Sequence, residues 1–442
     1  MEGVRMKLNI KNFAKIENAD ILIDGITVIA GENNTGKSTV GKILFSLFNS
    51  LSDIDEKINE ERLREIEQTN QVIILNYFSM FDLSRVIAYR QALNKARILK
   101  SYFYKQLENN KYIEDKTIYD IVNKVLGDEN KVDAPSDKND RSEMINEVYK
   151  NTKEILRLPE SIIIQEVVSG FFNNVFHSQI RSLSGTERQD AVITLDIKGK
   201  QDTIYFVKNN CKEFTDEINI IHKAIYIDNP FIIDELSKNN ELDPMNQMLE
   251  KLLFSSYKGE TIEGVIEIVR AKEKLSDLTA MLQTVIEGEI ITDQNNEFYL
   301  RSDNYDEPIS FHNLSTGMKS FVILKMLIEK GCLKDKDVLI LDEPEIHLHP
   351  QWQIAYAELI VLLQKQFDLS VVVTTHSPYF VDALNLFSCK YGTDKKVNYY
   401  LSSNHDNTVV MENVTENIDL IYKKMATPIQ MLDTLRYELN NN

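Results

Sequence analysis

The sequence predicts an α/β fold: a mixed sheet that carries a phosphate-gripping loop, with antiparallel strands beside it and helical insertions between its parts. Three observations predict it. The apolar run "ITVIA" leads into "GENNTGKST" and then into the helical spacing of "VGKILFSLF", so that strand, glycine loop and helix follow in order within residues 26–48. From residue 314 to about residue 400, helical and strand patterns alternate, as they do around a parallel sheet. Between these two regions, residues 51–165 are charged, poor in glycine and helical in pattern.

Each element follows from its local pattern. Within residues 1–50, "MKLNIKNF" and "ADILID" alternate as half-buried strands do, and "ITVIAG" is a buried strand that ends at a glycine. Val40, Ile43, Leu44, Leu47 and Phe48 then recur on one helical face. Residues 51–165 form the helical insertion, with the polar break "GDENKVDAPSDKNDRSE" near 127–143 expected as an exposed loop. Residues 166–232 return strands to the sheet: a hairpin in 191–210 around "KGKQD", then "KAIYID". Residues 233–290 are helical in pattern. Residues 291–400 open with the strand pair "GEIITDQNNEFYLRSD", which begins slightly upstream, and continue with the helix–strand alternation; residues 401–442 are expected to be a helical tail. No heptad is sustained long enough for a long coiled coil, and no internal repeat is visible.

The composition narrows the class. The chain has 442 residues, a net charge of −18, and an ordinary apolar share of 43% with 27% charged. That charge argues against coating DNA unaided, because phosphate contacts need clustered Lys and Arg. Cys211, Cys332 and Cys389 are far apart and odd in number, so neither a disulfide framework nor a zinc spacing is present. The stretch "MEGVRMKLNI" lacks the apolar core of a signal peptide, and no apolar run approaches the ~18–20 residues that span a bilayer. A cytoplasmic protein with no membrane contact is expected.

Four motifs carry chemistry. The loop at 31–39 has the spacing G-x-x-x-x-G-K-[ST]. Its candidate nucleotide-binding residues are Gly31, Asn33, Asn34, Thr35, Gly36, Lys37, Ser38 and Thr39. Backbone N–H groups of 34–39 would cradle phosphates at a helix N-terminus. Lys37 would bridge the β- and γ-phosphates, the Ser38 hydroxyl would bind Mg²⁺, and Thr39 would reach the α-phosphate. In "DVLILDEPEIHLHP" (337–350), Asp342 closes a buried strand and can hold Mg²⁺ through water, while Glu343 can polarise the attacking water. His347 and His349 in the same segment suggest a metal pair only weakly. In "LSTGMKS" (314–320), Ser315 is a natural N-cap. Standing 27 residues before Asp342, Ser315 and the N–H of Gly317 gain a second reading as phosphate contacts. In "SVVVTTHSP" (370–378), His376 follows a buried strand; alone it reads as a core or capping histidine, and after the other three motifs as a catalytic one.

In this order the four motifs resemble those of the ATP-binding-cassette ATPases, and within them the soluble branch of SMC-like, RecF-like and OLD-like proteins. The wording "LDEPEIHLHPQWQ" with "TTHSPYF" is most similar to the AAA-family ATPase subunits of bacterial anti-phage defence systems such as Septu and PARIS. The resemblance covers residues 1–50 and about 300–400 well and the middle poorly. It implies an ABC-ATPase head, with ATP and Mg²⁺ as cofactors. It also implies a homodimer or higher homo-oligomer in which Lys37, Ser38, Asp342, Glu343 and His376 come from one head. Ser315 and Gly317 would then reach the γ-phosphate held by the other head, and Lys319 could add charge there. The sequence departs from transporter cassettes at Thr316 and Met318, where their signature differs, and Asn34 stands where Gly is frequent. The glutamine that usually senses Mg²⁺ is open between Gln71 and Gln165.

What remains concerns partners. After "THSPYF" no Glu with a later Asp-x-Asp pair appears, and no His-Asn-His nuclease arrangement is visible, so the chain is not expected to cut nucleic acid by itself. The favoured expectation is an ATP-hydrolysing sensor subunit that holds or activates a separate effector, a nuclease. The alternative is a DNA-repair or chromosome-maintenance ATPase; a transporter ATPase and an inert scaffold fit less well. The stretch Arg85 to Lys105 carries Arg90, Lys95, Arg97 and Lys100 with Tyr89, Tyr102 and Tyr104 and no acid. It is suited to DNA, RNA or an acidic partner, or else is a solvated helix face with its aromatics in the core. In the tail, Thr427 and Gln430 have capping-box spacing with Pro428 at the first turn. Leu432, Leu435 and Leu439 make one stripe, which either packs on its own domain or docks a partner.

Overall fold

A computed structural model describes residues 6–80, 84–110, 112–127, 138–183, 189–215, 217–235, 243–254, 276–293 and 297–441. The chain divides into two compact units, Met1–Ser52 with Val168–Asn442, and Asp53–Val167.

The first unit is built on an eleven-stranded mixed sheet in the order β6-β5-β4-β1-β2-β14-β13-β3-β12-β11-β7. The strands are β1 (Met6–Phe13), β2 (Ile16–Ile23), β3 (Ile26–Gly31), β4 (Ala191–Ile197), β5 (Lys200–Val207), β6 (Asn210–Phe214), β7 (Ala224–Ile227), β11 (Val338–Asp342), β12 (Ser370–Thr375), β13 (Val397–His405) and β14 (Thr408–Asn413). From β13 to β7 all neighbours run parallel. The pairs between β2 and β6 are antiparallel. β3, β7 and β12 are buried along their whole length and β11 up to its last residue, which is why they read as unbroken apolar runs rather than as alternation. β8 (Glu289–Thr292), β9 (Phe298–Arg301) and β10 (Ile309–Ser310) make a separate antiparallel sheet.

Helices make the parallel crossovers. α1 (Lys37–Leu51) packs on β7, β11 and β12. The helical pattern around 314–328 is realised further along the unit as a buried helix, Thr316–Glu329, and "PQWQIAYAELIVLLQKQF" and "PYFVDALNLFSCKY" as the helices that return β11 to β12 and β12 to β13. Leu339, Leu341, Val371, Val373, Phe321 and Tyr356 share one large apolar core with Ile26 and Val28. Fully burying one such side chain is worth about 1.5–3 kcal/mol. The sheet order is therefore fixed by many such terms, not by the loop that follows β3.

The second unit is helical. It contains α2 (Ile54–Ser79), α3 (Arg85–Asn109), α4 (Asp115–Gly127), α5 (Lys138–Leu156) and the first turns of α6 (Glu160–Phe176). On α3 the small residues Ala88, Ala92 and Ala96, followed by Leu99 and Phe103, are fully buried against α2. The buried Asn70 amide donates to Thr152 (2.8 Å) and its oxygen accepts from Asn151 (2.9 Å), which fixes α2 on α5. The basic run of α3 is only partly free. Lys100 and Arg97 face Glu67 at 2.6 and 3.5 Å, and Lys95 donates to the Val125 carbonyl. Tyr89 and Tyr104 are exposed, not core, while Tyr102 is half-buried beneath Lys124.

Several expectations change. The break at 127–143 is shorter than its composition suggested: α5 begins at Lys138, and residues 128–137 lie outside the described residues. The hairpin turn is Lys198-Gly199, both with positive φ (56° and 82°), the two-residue turn that suits strand twist; β6 extends the meander by a strand not foreseen. Residues 401–442 are not wholly a helical tail, because β13 and β14 enter the main sheet beside β3 and β2. The capping box does not form: the Thr427 hydroxyl donates back to the Lys424 carbonyl at 2.9 Å. Leu432, Leu435 and Leu439 do not pack on their own domain; they are 54%, 51% and 76% exposed on the last helix, Thr427–Asn441.

Candidate functional site

The site forms where β3, β11 and β12 end side by side. β3 runs out at Gly31, which is paired with Ser402 on β13. The loop then turns on two left-handed residues, Asn34 (φ 64°) and Gly36 (φ 74°). Asn is among the residues that visit this region readily, and Lys15 donates to its Oδ1 at 2.9 Å. At Gly36 a Cβ would stand 3.2 Å from Ile16, so positive φ and close packing both select glycine. Thr35 donates to the Glu32 carbonyl (2.8 Å), and Ser402 donates to the Thr35 carbonyl, which ties the loop to the sheet; Asn33 is exposed at the tip.

Lys37 opens α1 with its side chain only 3% exposed. Its Nζ donates to the carbonyls of Gly31 (3.1 Å) and Glu32 (2.8 Å) and lies 3.3 Å from Glu343 Oε1. The Ser38 hydroxyl donates to Asp342 Oδ1 at 2.9 Å, and Thr39 is half-buried, its N–H bonded to the Gly36 carbonyl at 3.1 Å. α1 has no side-chain cap and no acid in its first turn. Its leading N–H groups, with the buried ammonium beside them, make a cradle for an anion. The oxygen donors of Ser38 and Asp342 match a small hard cation that keeps several waters, so phosphate and Mg²⁺ both fit these residues.

Asp342 and Thr374 are paired across β11 and β12. Thr374 donates to Asp342 Oδ1, and Tyr226 at the end of β7 donates to Oδ2 at 2.6 Å. Burial first, then the Asp342 charge, pushes the Tyr226 phenol well above its usual range, so it stays a donor at working pH. Glu343 adopts φ 49°, a strained conformation that costs about 1–3 kcal/mol for a residue other than glycine. Its N–H is shared between the Thr374 carbonyl (3.1 Å) and hydroxyl (3.0 Å), which offsets that cost and turns the carboxylate toward Lys37. His376 Nδ1 lies 3.7 Å from Glu343 Oε2 and 3.6 Å from Glu345 Oε1. The carboxyl of Asp228, the residue after β7, is pushed up, first by desolvation and then by the charges of Asp342 and Asp243.

Lys37, Glu343 and His376 thus form one chain of ion-pair contacts, and Ser38 and Asp342 a hydrogen-bonded pair next to them in sequence. The "LSTGMKS" residues are placed otherwise. The exposed Ser315 caps its own helix, accepting from the Met318 N–H at 3.4 Å. Gly317 is buried, and a Cβ there would meet the Trp352 ring at 2.9 Å, so packing already explains the glycine. Lys319 does not present charge at an open surface. It is 3% exposed, bonded to Asp234 at 2.6 Å, and lies 5.5 Å from the Phe231 ring, because a buried ammonium must be paired. Nor do the two histidines converge on a metal. His347 lies edge-on to Phe231, and His349 caps the next helix through Nδ1 (3.4 Å). Gln71 and Gln165 both belong to the helical unit. Tyr226 carried no mark in the sequence, and only the adjacency of β7 and β11 brings it here; Thr374 and Glu345 lie within the motifs around His376 and Asp342 but were not singled out there.

Residues 6–381 match the family model described as the AAA ATPase domain. The Septu protein PtuA of Bacillus thuringiensis is similar, 25% identical over 237 residues, covering 49% of this chain and 57% of that protein. The chain therefore spans a little over half the length of the curated relative it matches. Among solved structures, the SMC head domain from Thermotoga maritima aligns over 93% of this chain and 99% of its own, with 11% identity and a TM-score of 0.38. The Smc head domain with an extended coiled coil bound to the C-terminal domain of ScpA, from Pyrococcus furiosus, covers 99% and 100%, with 11% identity and a TM-score of 0.40.

Proposed function

The chain belongs to the AAA ATPase domain family, and from that premise we propose that it binds ATP with Mg²⁺, hydrolyses it, and acts as the regulatory subunit of a cytoplasmic anti-phage defence complex, holding or activating a separate effector, a nuclease. The observation that carries the enzymatic part is the meeting of Lys37, Ser38, Asp342, Glu343 and His376 around the uncapped start of α1. In this reading Lys37 leaves its loop carbonyls for the β- and γ-phosphates, and the α1 N–H groups bind phosphate oxygens. Ser38 and Asp342 would hold Mg²⁺, which when bound would supply positive charge against the phosphate oxygens. Glu343 orients water and accepts its proton as the water oxygen bonds to the γ-phosphorus and the bond to the β–γ bridging oxygen breaks, with ADP leaving; His376 steadies Glu343 and the transferred γ-phosphoryl group.

The defence role is supported by the likeness to the Septu protein PtuA and by the motif wording. Its test is capture of the neighbouring operon product with ATP, with ADP and without nucleotide. Binding that differs about 5–150-fold between states is expected, the usual range of allosteric coupling. A partner bound equally in all three states would remove the switch, and DNA or RNA cleavage by the purified chain alone would overturn the division of labour.

Two copies are proposed to enclose the nucleotide, with Ser315 and Gly317 facing the site of the other copy. The exposed Ser315 hydroxyl, engaged among the described residues only by a long bond within its own helix, supports this. Mixing Lys37→Ala chains with Ser315→Arg chains is expected to restore part of the hydrolysis that each lacks alone, because one of the two composite sites is then intact. Mixed dimers shown to assemble yet remaining inactive would count against the arrangement.

A further inference from the structure

Glu345 has no place in the reaction just described, yet it is the most deeply buried carboxylate near the site, 2% exposed. One oxygen, Oε1, accepts from the Thr375 hydroxyl and from the His376 N–H at 3.0 Å, and stands 3.6 Å from His376 Nδ1. The other, Oε2, is buried with no hydrogen-bond partner among the described residues. A carboxylate in that position is costly, and its carboxyl is pushed up, first by burial and against the pull of Thr375 and the nearby amides. A glutamate that only closed a loop would not need to lie here. Its backbone is already fixed: Gln353 donates to the Glu345 carbonyl at 3.3 Å, and the Leu348 N–H does so at 3.0 Å.

We propose that Glu345 is a positioning residue that holds the His376 ring with Nδ1 toward the paired carboxylates Glu343 and Glu345 and Nε2 toward the nucleotide. The two Nδ1 distances, 3.7 and 3.6 Å, place that nitrogen evenly between the carboxylates. A proton on Nδ1 would lie between the two negative charges at ion-pair rather than hydrogen-bond distance, which leaves Nε2, on a side chain 44% exposed, as the reactive face. The grip on the His376 N–H fixes the end of β12 itself, so ring and backbone are set by one oxygen. This inference rests on the ATPase reading for its consequence, not for its geometry.

Two measurements separate these. In Glu345→Gln, shape and the neutral acceptor remain and the charge is lost. Nucleotide affinity is expected to stay within about twofold while kcat falls about 10–100-fold, by analogy with the outer partners that orient metal-bound histidines. In a His376→Ala background the same change is expected to cost nothing further, because the two act as one unit. Equal losses in both backgrounds would overturn the proposal, as would an unchanged kcat. The second measurement is the imidazole ¹⁵N spectrum of the seven histidines, with His376 assigned by its disappearance in His376→Ala. Its Nδ1–H form is expected to weaken in Glu345→Gln; identical His376 signals would overturn the proposal. Absence of turnover in the unaltered protein would fall on the ATPase reading, and the imidazole signal would then decide alone. Glu345→Asp, which withdraws the charge by one methylene, takes the place of Glu345→Gln if the amide does not fold.

Discussion

Lys37→Ala is expected to abolish nucleotide binding, lowering affinity by at least about 10²-fold. The ammonium is held ready: it is nearly buried, bonded to two carbonyls of its own loop, and 3.3 Å from Glu343. These are contacts a phosphate can replace without the side chain being dragged out of bulk water. A hydrogen bond to a charged group contributes about 1.5–3 kcal/mol. Losing two such bonds costs about 3–6 kcal/mol, which at 1.4 kcal/mol per decade is about 10²–10⁴ in affinity. The loop itself should survive, because Thr35, Ser402 and the packing of Gly36 shape it independently of Lys37. The check is titration with a fluorescent ATP analogue beside a melting curve. A cooperatively folded variant that binds as tightly as the parent would remove Lys37 from the site.

How much of this was legible depends on whether the signal is local. The β3–loop–α1 unit is local: an apolar run, a glycine loop and a helical stripe lie within residues 26–48 and need no distant partner. Asp342 and His376 were legible as ends of apolar strands, and the parallel register that sets Asp342 beside Thr374 brings them together. Tyr226 was not, since it lies 116 residues before the carboxylate it holds and only the adjacency of β7 and β11 joins them. That Lys319 is buried and paired was hidden for the same reason. Its partner Asp234 lies 85 residues upstream, in a stretch whose pattern said only that it was helical. The β13–β14 hairpin, which turns at Asp406 with φ 54°, was less legible, because "YYLSSN" and "TVVMEN" do not alternate cleanly and the final helix dominates the pattern of 401–442. For that helix, the stripe of Leu432, Leu435 and Leu439 specified a helix and left open what would cover it.

Glu343→Gln is expected to leave ATP bound and to slow hydrolysis by about 10²-fold or more, the range for loss of a general base. The amide is isosteric and the site is partly open, with the Glu343 side chain 22% exposed, so folding should be little changed. The left-handed backbone at this residue is set by Thr374 through the N–H, not by the side chain, and so is retained. Two things are lost. The proton acceptor disappears, and with it the ion pair to Lys37, whose amine is then held only by the loop carbonyls. The second loss acts in the opposite direction to the first: it frees Lys37 for phosphate, so affinity should hold or rise while turnover falls. This separation distinguishes a base from a structural carboxylate, whose removal would weaken binding and turnover together. Single-turnover hydrolysis of labelled ATP, read beside equilibrium binding of the same nucleotide, measures both. Near-normal turnover in the variant would assign the proton to another group, and Asp228, crowded beside Asp342 at the end of β7, would be the next residue to replace.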